Sequence, residues 1–423
     1  DDKHWHLIFA DGCYDMSYDP LSQLPTPDDK NIAIYVKPAA ERALRQGHPW
    51  LFEDSIRKQN YQGQAGDRAV IFDRKRRFLA VGLYDPDSPI RVKVLQHRQS
   101  AQINAAWFAD KIHTAAARRQ PLAAQGTTGY RLLHGENDGL PGLIVDRYAD
   151  TLVIKLYTAA WWPHLRHVLP ALDAVLPDAR WVLRLGRSVP EAYGLYDGML
   201  LRGAPLDGPI VFTENGLHFA ADVLHGHKTG FFFDQRDNRA RVRDLAAGHD
   251  VLDVFAYVGA FSVYAAHGGA RSILSTDVSA PALDAARHNF ARNADATAQT
   301  EHETLVGDAC AVLDALAQAG RTFSMAIVDP PSFAKSADDV PRALSAYERL
   351  SRAAVSLLRP DGLLVMASCS SRVDDAAFYQ AVHAGARQAG RTLHEQMRTG
   401  HTLDHPIAFP EGAYLTCLFA YVP

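Results

Sequence analysis

The sequence predicts an α/β protein. Its C-terminal half is a largely parallel sheet covered by helices on both faces, preceded by a small β-rich module and a central α/β segment. Three observations predict this. From about residue 210 onward, strand-like and helix-like runs alternate, as in a parallel sheet with crossover helices. Four of the strand-like runs end in an aspartate, at Asp253, Asp277, Asp308 and Asp329. Residues 31–98 differ in character, with short β-rich runs joined by the basic turn Arg74-Lys75-Arg76-Arg77.

A chain of 423 residues is too long for one ordinary core. With 47% hydrophobic and 22% charged residues it has the composition of a globular protein. It shows no apolar run of membrane-spanning length and no leader pattern. Its four cysteines, Cys13, Cys310, Cys369 and Cys417, are spaced for neither a zinc site nor a disulfide framework. The expected setting is cytoplasmic, with reduced thiols, no metal and no membrane. Residues 31–130 hold 16 Lys and Arg against 8 Asp and Glu, so that +8 there leaves −12 for the rest of a chain of net charge −4. A basic module on an acidic body suits an anionic partner, although charge also drifts between domains without purpose.

Residues 1–30 are polar and aperiodic, an extension whose order the sequence does not fix. In 31–98 a helix is expected over Ala39–Gln46 and strands over Ala69–Asp73, Phe78–Tyr84 and Ile90–Leu95. In the central segment, 99–205, Ala101–Arg119 reads as a helix. Leu143–Asp146 and Leu152–Leu156 read as strands after the punctuating Gly139-Leu140-Pro141-Gly142. A helix over His164–Leu176 and a strand over Trp181–Leu185 complete the segment. The remainder, 206–423, carries the parallel sheet.

Val251–Phe255 is an apolar strand containing Asp253. The turn that follows carries Phe255, Tyr257 and Gly259 and leads into a helix ending near His267. Small residues and glycine there let the backbone approach a ligand. About 24 residues beyond Asp253, Asp277 is placed to accept from ribose hydroxyls. Asp308 follows the strand Thr304–Val306, and Asp329 follows Met325–Val328. Ligands of such sheets bind beyond the carboxyl ends of the strands. Four carboxylates there suit a ligand with hydroxyls, an adenine amino group and a positive centre, as in S-adenosylmethionine. The GxGxxG fingerprint of a dinucleotide site is absent. A single aspartate of this kind is more simply a helix cap or a turn; four in order point to the cofactor.

The loop Asp329-Pro330-Pro331-Ser332-Phe333 is methyltransferase-like. In loops of this type the carboxylate and a backbone carbonyl hold a base amino group, and the aromatic, here Phe333, stacks on the ring. Alone it suggests methylation of an exocyclic amino group. Cys369, just beyond the strand Leu363–Ala367, suggests otherwise. Carbon 5 of cytosine becomes nucleophilic once a thiolate adds to carbon 6. Cys369 is placed to be that thiolate, with Asp329 assisting protonation at ring nitrogen 3. Cys310 and Cys417 lack such a setting and read as packing residues.

These residues resemble the bacterial large-subunit ribosomal RNA cytosine-C5 methyltransferases that carry a PUA domain. The resemblance runs from about residue 33 to 422 and is strongest over His225–Arg239. It is supported by His48-Pro49-Trp50-Leu51-Phe52, Asp138–Gly142, the Asp329 loop, Ser368-Cys369-Ser370, Asp404-His405-Pro406 and Pro410-Glu411-Gly412. It implies a PUA-like domain over 31–98, a central α/β linker domain over 99–205 and a Rossmann-like methyltransferase domain over 206–423. It implies Cys369 as nucleophile and places the Phe233–Arg236 stretch, through Phe233, Gln235 and Arg236, over the cofactor. The plainer reading of that stretch is a lead-in helix with structural hydrogen bonds. The histidines, His225 and His227 included, read as structural. Two departures stand out: Ser332 occupies the position of a second, product-releasing cysteine in another branch of RNA cytosine methyltransferases, and Asp253 stands where some relatives have Asn.

The implied partner is large-subunit ribosomal RNA, unassembled or partly assembled; a homodimer is left open. Arg74, Lys75, Arg76 and Arg77 would contact phosphates, and the target base would have to leave its stack. Two other readings compete. One is a guanine-directed rRNA methyltransferase using the Asp329 loop. The other is a non-catalytic RNA-binding assembly factor.

Overall fold

A computed structural model describes residues 20–27, 30–226 and 228–423. Most of the 1–30 extension, Cys13 and His227 therefore lie outside the described residues. Three sheets and a hairpin follow one another along the chain. Strands β1 (Ile32–Val36), β2 (Trp50–Phe52), β3 (Ile56–Gln59), β4 (Arg68–Phe72), β5 (Phe78–Tyr84) and β6 (Ile90–His97) form a six-stranded sheet in the order β2-β6-β5-β4-β1-β3. In β1 alternate residues Ile32, Ile34 and Val36 face the core, the period-2 pattern of a half-buried strand. The helix Pro38–Arg45 starts with proline at its first turn, where the missing N–H costs nothing. The basic turn joins β4 to β5 as an antiparallel hairpin. Asp73 holds it, accepting from the Lys75 and Arg77 amides at 2.8 Å each.

The second sheet, β7 (Gly129–His134), β8 (Leu143–Tyr148), β9 (Thr151–Leu156), β10 (Arg180–Leu185) and β11 (Leu200–Arg202), has the order β11-β10-β9-β8-β7. The helix Ala105–Arg119 packs on β7 and against the helix Leu165–Val175, whose Leu165, Val168, Leu169 and Leu172 share the sheet's apolar core. Asn104 caps the first by accepting from the Trp107 amide at 3.0 Å, so that helix starts later than Ala101. One core spans both sheets: Leu83 and Leu95 of the first pack with Phe108, Trp161 and Leu152 of the second.

From residue 210 the chain does not alternate strand and helix at once. It first forms an antiparallel hairpin, β12 (Ile210–Glu214) and β13 (Leu217–Ala221). Its inward residues Phe212 and Phe219 join Tyr148, Phe231, Phe233 and Tyr264 in an aromatic core between the second and third sheets.

The third sheet comprises β14 (Asp250–Val254), β15 (Ser272–Asp277), β16 (Glu301–Val306), β17 (Phe323–Val328), β18 (Leu358–Ser368), β19 (His394–Thr399) and β20 (Thr416–Val422), in the order β16-β15-β14-β17-β18-β20-β19. The pairings among β16, β15, β14, β17 and β18 are parallel, and β20 runs antiparallel to β18 and β19. Progression away from β14 goes through β15 and β16 on one side and β17 and β18 on the other, so the strand order reverses at β14/β17. That reversal opens a crevice at the carboxyl ends, where such sheets bind ligands. No helix among the described residues is long and apolar enough to cross a membrane.

Candidate active site

A cavity of about 280 Å³ fills this crevice. It is lined by Lys228, Phe231, Phe232, Asp234, Gln235, Arg239, Phe255 to Val258, Ala260, Phe261, Asp277 to Ser279, Asp329 to Pro331, Cys369 and Leu415. The strand ends set this arrangement: Asp277 ends β15, Asp329 follows β17 and Cys369 follows β18. Phe255 and Tyr257 bend the chain out of β14 with positive φ of 65° and 49°. Non-glycine residues in this region of backbone space carry local strain, which folds tend to place at ligand sites. The turn is held from below, because Asp277 accepts from the amides of Tyr257 and Ser279 at 2.9 Å each.

Of the residues expected at the cofactor, Phe255, Tyr257, Asp277, Asp329 and Gln235 line the cavity; five others do not. Asp253 is 1% exposed and lies behind the wall, its Oδ2 accepting from Ser262 Oγ at 2.6 Å while its Oδ1 has no hydrogen-bond partner among the described residues. Burial pushes its carboxyl up to about 7. Asp308 is exposed and caps the helix Ala309–Gln318, accepting from the amides of Cys310 and Ala311; for this residue the plain capping reading holds. Gly259 serves packing rather than approach to a ligand. It has φ of 72°, and a Cβ there would come within 2.7 Å of Ala286 Cβ. Phe233 turns away into the aromatic core, and its neighbours Phe231 and Phe232 take its place on the wall. Arg236 also turns away, donating to Asp404 Oδ1 at 2.8 Å in a fully buried pair.

The base-contact residues divide in the same way. Asp329 accepts from Gln235 Nε2 at 2.9 Å. Burial, reinforced by the nearby Asp234 charge, pushes its carboxyl up to about 7. Cys369 lies beside the same loop, its Sγ 3.5 Å from the Pro330 carbonyl. Burial first and the Asp329 charge second push its thiol up to about 12. Phe333 is not on the cavity wall. Its ring is half-buried and packs on Tyr347 at 5.3 Å, against the sheet's core. Ser332 faces outward, donating to the Ala334 carbonyl at 3.3 Å. Cys417 is fully buried in β20, and Cys310 is half-buried on its helix.

Arg74, Lys75, Arg76 and Arg77 are all exposed. Arg77 is tied to Asp73 at 2.7 Å, so Arg74, Lys75 and Arg76 carry the turn's outward charge. Among the described residues no cluster of His, Cys, Asp or Glu is arranged to hold a metal ion.

Sequence reasoning missed Lys228, Phe231, Phe232 and Arg239 on the wall and Tyr414 behind it, and it took in Asp234 only as part of the Phe233–Arg236 stretch, with no role of its own. Tyr414 donates its hydroxyl to Asp234 Oδ2 at 2.8 Å. Arg239 is locked to Glu214 at 2.7 and 2.9 Å. All but Tyr414 fall in the His225–Arg239 stretch. The signal available was a charged residue directly after three phenylalanines, since a carboxylate beside such an apolar run is costly to bury without a task or a partner.

S-adenosylmethionine fits this donor set. The cavity offers aromatic and apolar walls for an adenine, the Asp277 carboxylate for ribose hydroxyls, and Asp234 and Asp329 for a cationic centre. Residues 131–419 match the S-adenosylmethionine-dependent methyltransferase family and residues 34–97 the PUA-like domain. The chain is 44% identical over 403 residues to a ribosomal RNA large subunit methyltransferase of Deinococcus radiodurans, covering 93% of this chain and 98% of that one. It is 38% identical over 397 residues to ribosomal RNA large subunit methyltransferase I of Shewanella denitrificans, covering 92% and 99%. A solved structure from Streptococcus mutans, assigned as a SAM-dependent methyltransferase, shares the fold, with a TM-score of 0.77 at 22% identity over 92% of this chain. Fold, cavity and match thus define an S-adenosylmethionine-dependent methyltransferase with a Rossmann-like catalytic domain behind a PUA-like domain. Within that class, the chain belongs to the ribosomal RNA large subunit methyltransferase I family.

Proposed function

We propose that this protein forms 5-methylcytosine in large-subunit ribosomal RNA, in the cytoplasm, through a covalent bond between Cys369 and carbon 6 of the cytosine. The observation that carries this reading is the placement of Cys369 and Asp329 on adjacent strand ends, on the wall of the cavity that Asp277 and the Phe255–Tyr257 turn complete. S-adenosylmethionine, when bound, supplies an electrophilic methyl group. The rest is done by the chain.

Cys369 rests as a thiol, because burial holds it far above neutrality. It therefore needs a base at the moment of attack. Asp329, titrating near 7, is matched to that task. It takes the thiol proton as sulfur adds to carbon 6, and passes it to ring nitrogen 3 as the displaced electron pair moves toward that atom. Carbon 5 is then electron-rich and attacks the methyl group. Loss of the carbon 5 proton reforms the ring double bond and expels the Cys369 sulfur, and the proton on ring nitrogen 3 returns through Asp329 to that sulfur, which restores the thiol. Arg74, Lys75 and Arg76 would hold RNA phosphates at the PUA-like end.

A Cys369→Ala variant tests the reading. Methyl transfer to protein-free large-subunit RNA should fall to background while S-adenosylmethionine binding is kept. Transfer at the wild-type rate would exclude the nucleophile and leave guanine-directed amino methylation as the reading of the Asp329 loop.

A further inference from the structure

A cysteine-linked cytosine carries both a hydrogen and a new methyl group on carbon 5, and the enzyme is trapped until a base removes that hydrogen. The loop offers no second cysteine for this step: Ser332 faces outward. Three carboxylates line the cavity, those of Asp234, Asp277 and Asp329. Asp277 sits at the end of β15, and β14 and β17 stand between it and β18, the strand that carries Cys369. At about 4.8 Å per strand it is roughly 14 Å away along the sheet. Asp329 is engaged with the thiol and ring nitrogen. Asp234 remains. It lines the same cavity from the segment leading into the helix Arg236–Leu245.

We propose that Asp234 is the base that takes the carbon 5 proton and so releases the methylated product, with Tyr414 as its positioning residue. The inference rests on the Cys369 reading above. The step balances: the carbon–hydrogen pair becomes the carbon 5–carbon 6 double bond, the carbon 6–sulfur bond breaks with its electrons on Cys369, the carbon 5 proton goes to Asp234, and the proton on ring nitrogen 3 returns through Asp329 to the sulfur. The geometry suits the role. Asp234 is 6% exposed, and among the described residues its one hydrogen bond comes from the Tyr414 hydroxyl to Oδ2, which fixes the carboxylate plane and leaves Oδ1 free to accept. Its electrostatics agree. Burial pushes the Asp234 carboxyl up, but Lys228, His405 and the Tyr414 hydrogen bond outweigh it and hold the group below the usual range. Asp329 is displaced in the opposite direction. Two neighbouring carboxyls driven apart in this way carry different proton transfers: Asp329 relays the thiol proton, and Asp234 stays ionised to accept the carbon 5 proton.

The test uses the full-length enzyme in single turnover, with a large-subunit RNA transcript tritiated at carbon 5 of its cytosines and carbon-14 methyl-labelled S-adenosylmethionine. In the wild type, methyl incorporation and tritium release should keep pace. In Asp234→Asn, methyl incorporation should proceed near the wild-type rate, tritium release should fall about 100-fold or more, and an RNA–protein adduct should survive denaturing electrophoresis. Equal loss of both labels, or neither, overturns the proposal. If Asp234→Asn does not fold, Tyr414→Phe decides. It should slow tritium release more than methyl incorporation and move the acid limb of the release profile to higher pH; an equal effect on both labels with an unmoved profile overturns the assignment. A wild-type enzyme that forms no adduct with 5-fluorocytosine RNA would overturn the Cys369 reading itself. Asp234 failing alone leaves that adduct intact, so the two failures are distinguishable.

Discussion

Gln235 donates to Asp329 on the cavity wall, Nε2 to Oδ1 at 2.9 Å, and is itself fixed by Asn238, whose Nδ2 donates to Gln235 Oε1 at 2.6 Å. This bond opposes the burial that raises Asp329. Gln235→Leu should therefore raise the Asp329 carboxyl further and shift the rate profile toward alkaline pH, with methyl transfer at pH 7 down roughly tenfold. An unshifted pH–rate profile would show that Gln235 does not tune Asp329.

Wild-type kcat/KM should depend on pH through the same carboxyl. Below about 7 Asp329 holds a proton and cannot accept that of the thiol, so the rate should rise roughly tenfold per pH unit and level off above 7. Asp329→Asn should remove this limb and lower the rate by about 10²- to 10⁴-fold. Steady-state kinetics from pH 5.5 to 9 check both.

Asp253 gives a stability prediction of the opposite kind. Burial raises its carboxyl to about 7 in the folded protein, against a usual 3.8. The stability it contributes is thus fully present below pH 3.8 and is lost as the pH rises through 7. Asn at this position cannot ionise and keeps an acceptor for Ser262. Relative to wild type, Asp253→Asn should gain stability between pH 4 and 7, by at most about 1.4 kcal/mol per pH unit, and hold a constant advantage above. Thermal melts at pH 4.5 and 8 measure it; an equal difference at the two pH values would contradict it.

Asp404 joins the second and third sheets. Its Oδ1 receives Arg236, its Oδ2 the Arg131 amide at 2.9 Å, and its carbonyl Arg119 Nη2 at 2.9 Å. Asp404→Ala leaves the Arg236 guanidinium buried without its partner and should cost about 3–5 kcal/mol, read from denaturant unfolding. A cost below about 1 kcal/mol would mean that Arg236 finds another partner.

At the PUA-like end, replacing Arg74, Lys75 and Arg76 together by alanine should weaken RNA binding alike for all sequences. It should also reduce the slope of log K against log salt by about two to three. An unchanged slope would place the RNA elsewhere.

The parts of this molecule that were legible in the sequence are those set by local pattern. The strands over Phe78–Tyr84 and Met325–Val328, the carboxylate at Asp277 and the thiol beyond β18 follow from apolar runs and what ends them. What was not legible depends on direction. Phe231, Phe232 and Phe233 are chemically equal in sequence; only the fold decides that Phe232 reaches the cavity, Phe233 the aromatic core, and Phe231 both. Asp308 and Asp277 both follow strands, but Asp308 is spent on capping its helix. The hairpin at 210–221 has short-range pairing that no helix–strand alternation announces. Asp234 acquires its setting from Tyr414, 180 positions away, a relationship no local reading contains.

The central claim concerns one sulfur atom. Wild-type enzyme incubated with S-adenosylmethionine and large-subunit RNA containing 5-fluorocytosine, then digested and analysed by mass spectrometry, measures it most directly. A methylated fluorocytosine nucleotide bonded to Cys369 is the predicted result, since fluorine at carbon 5 cannot leave as a proton. Methylated RNA with no adduct on Cys369 would contradict the account.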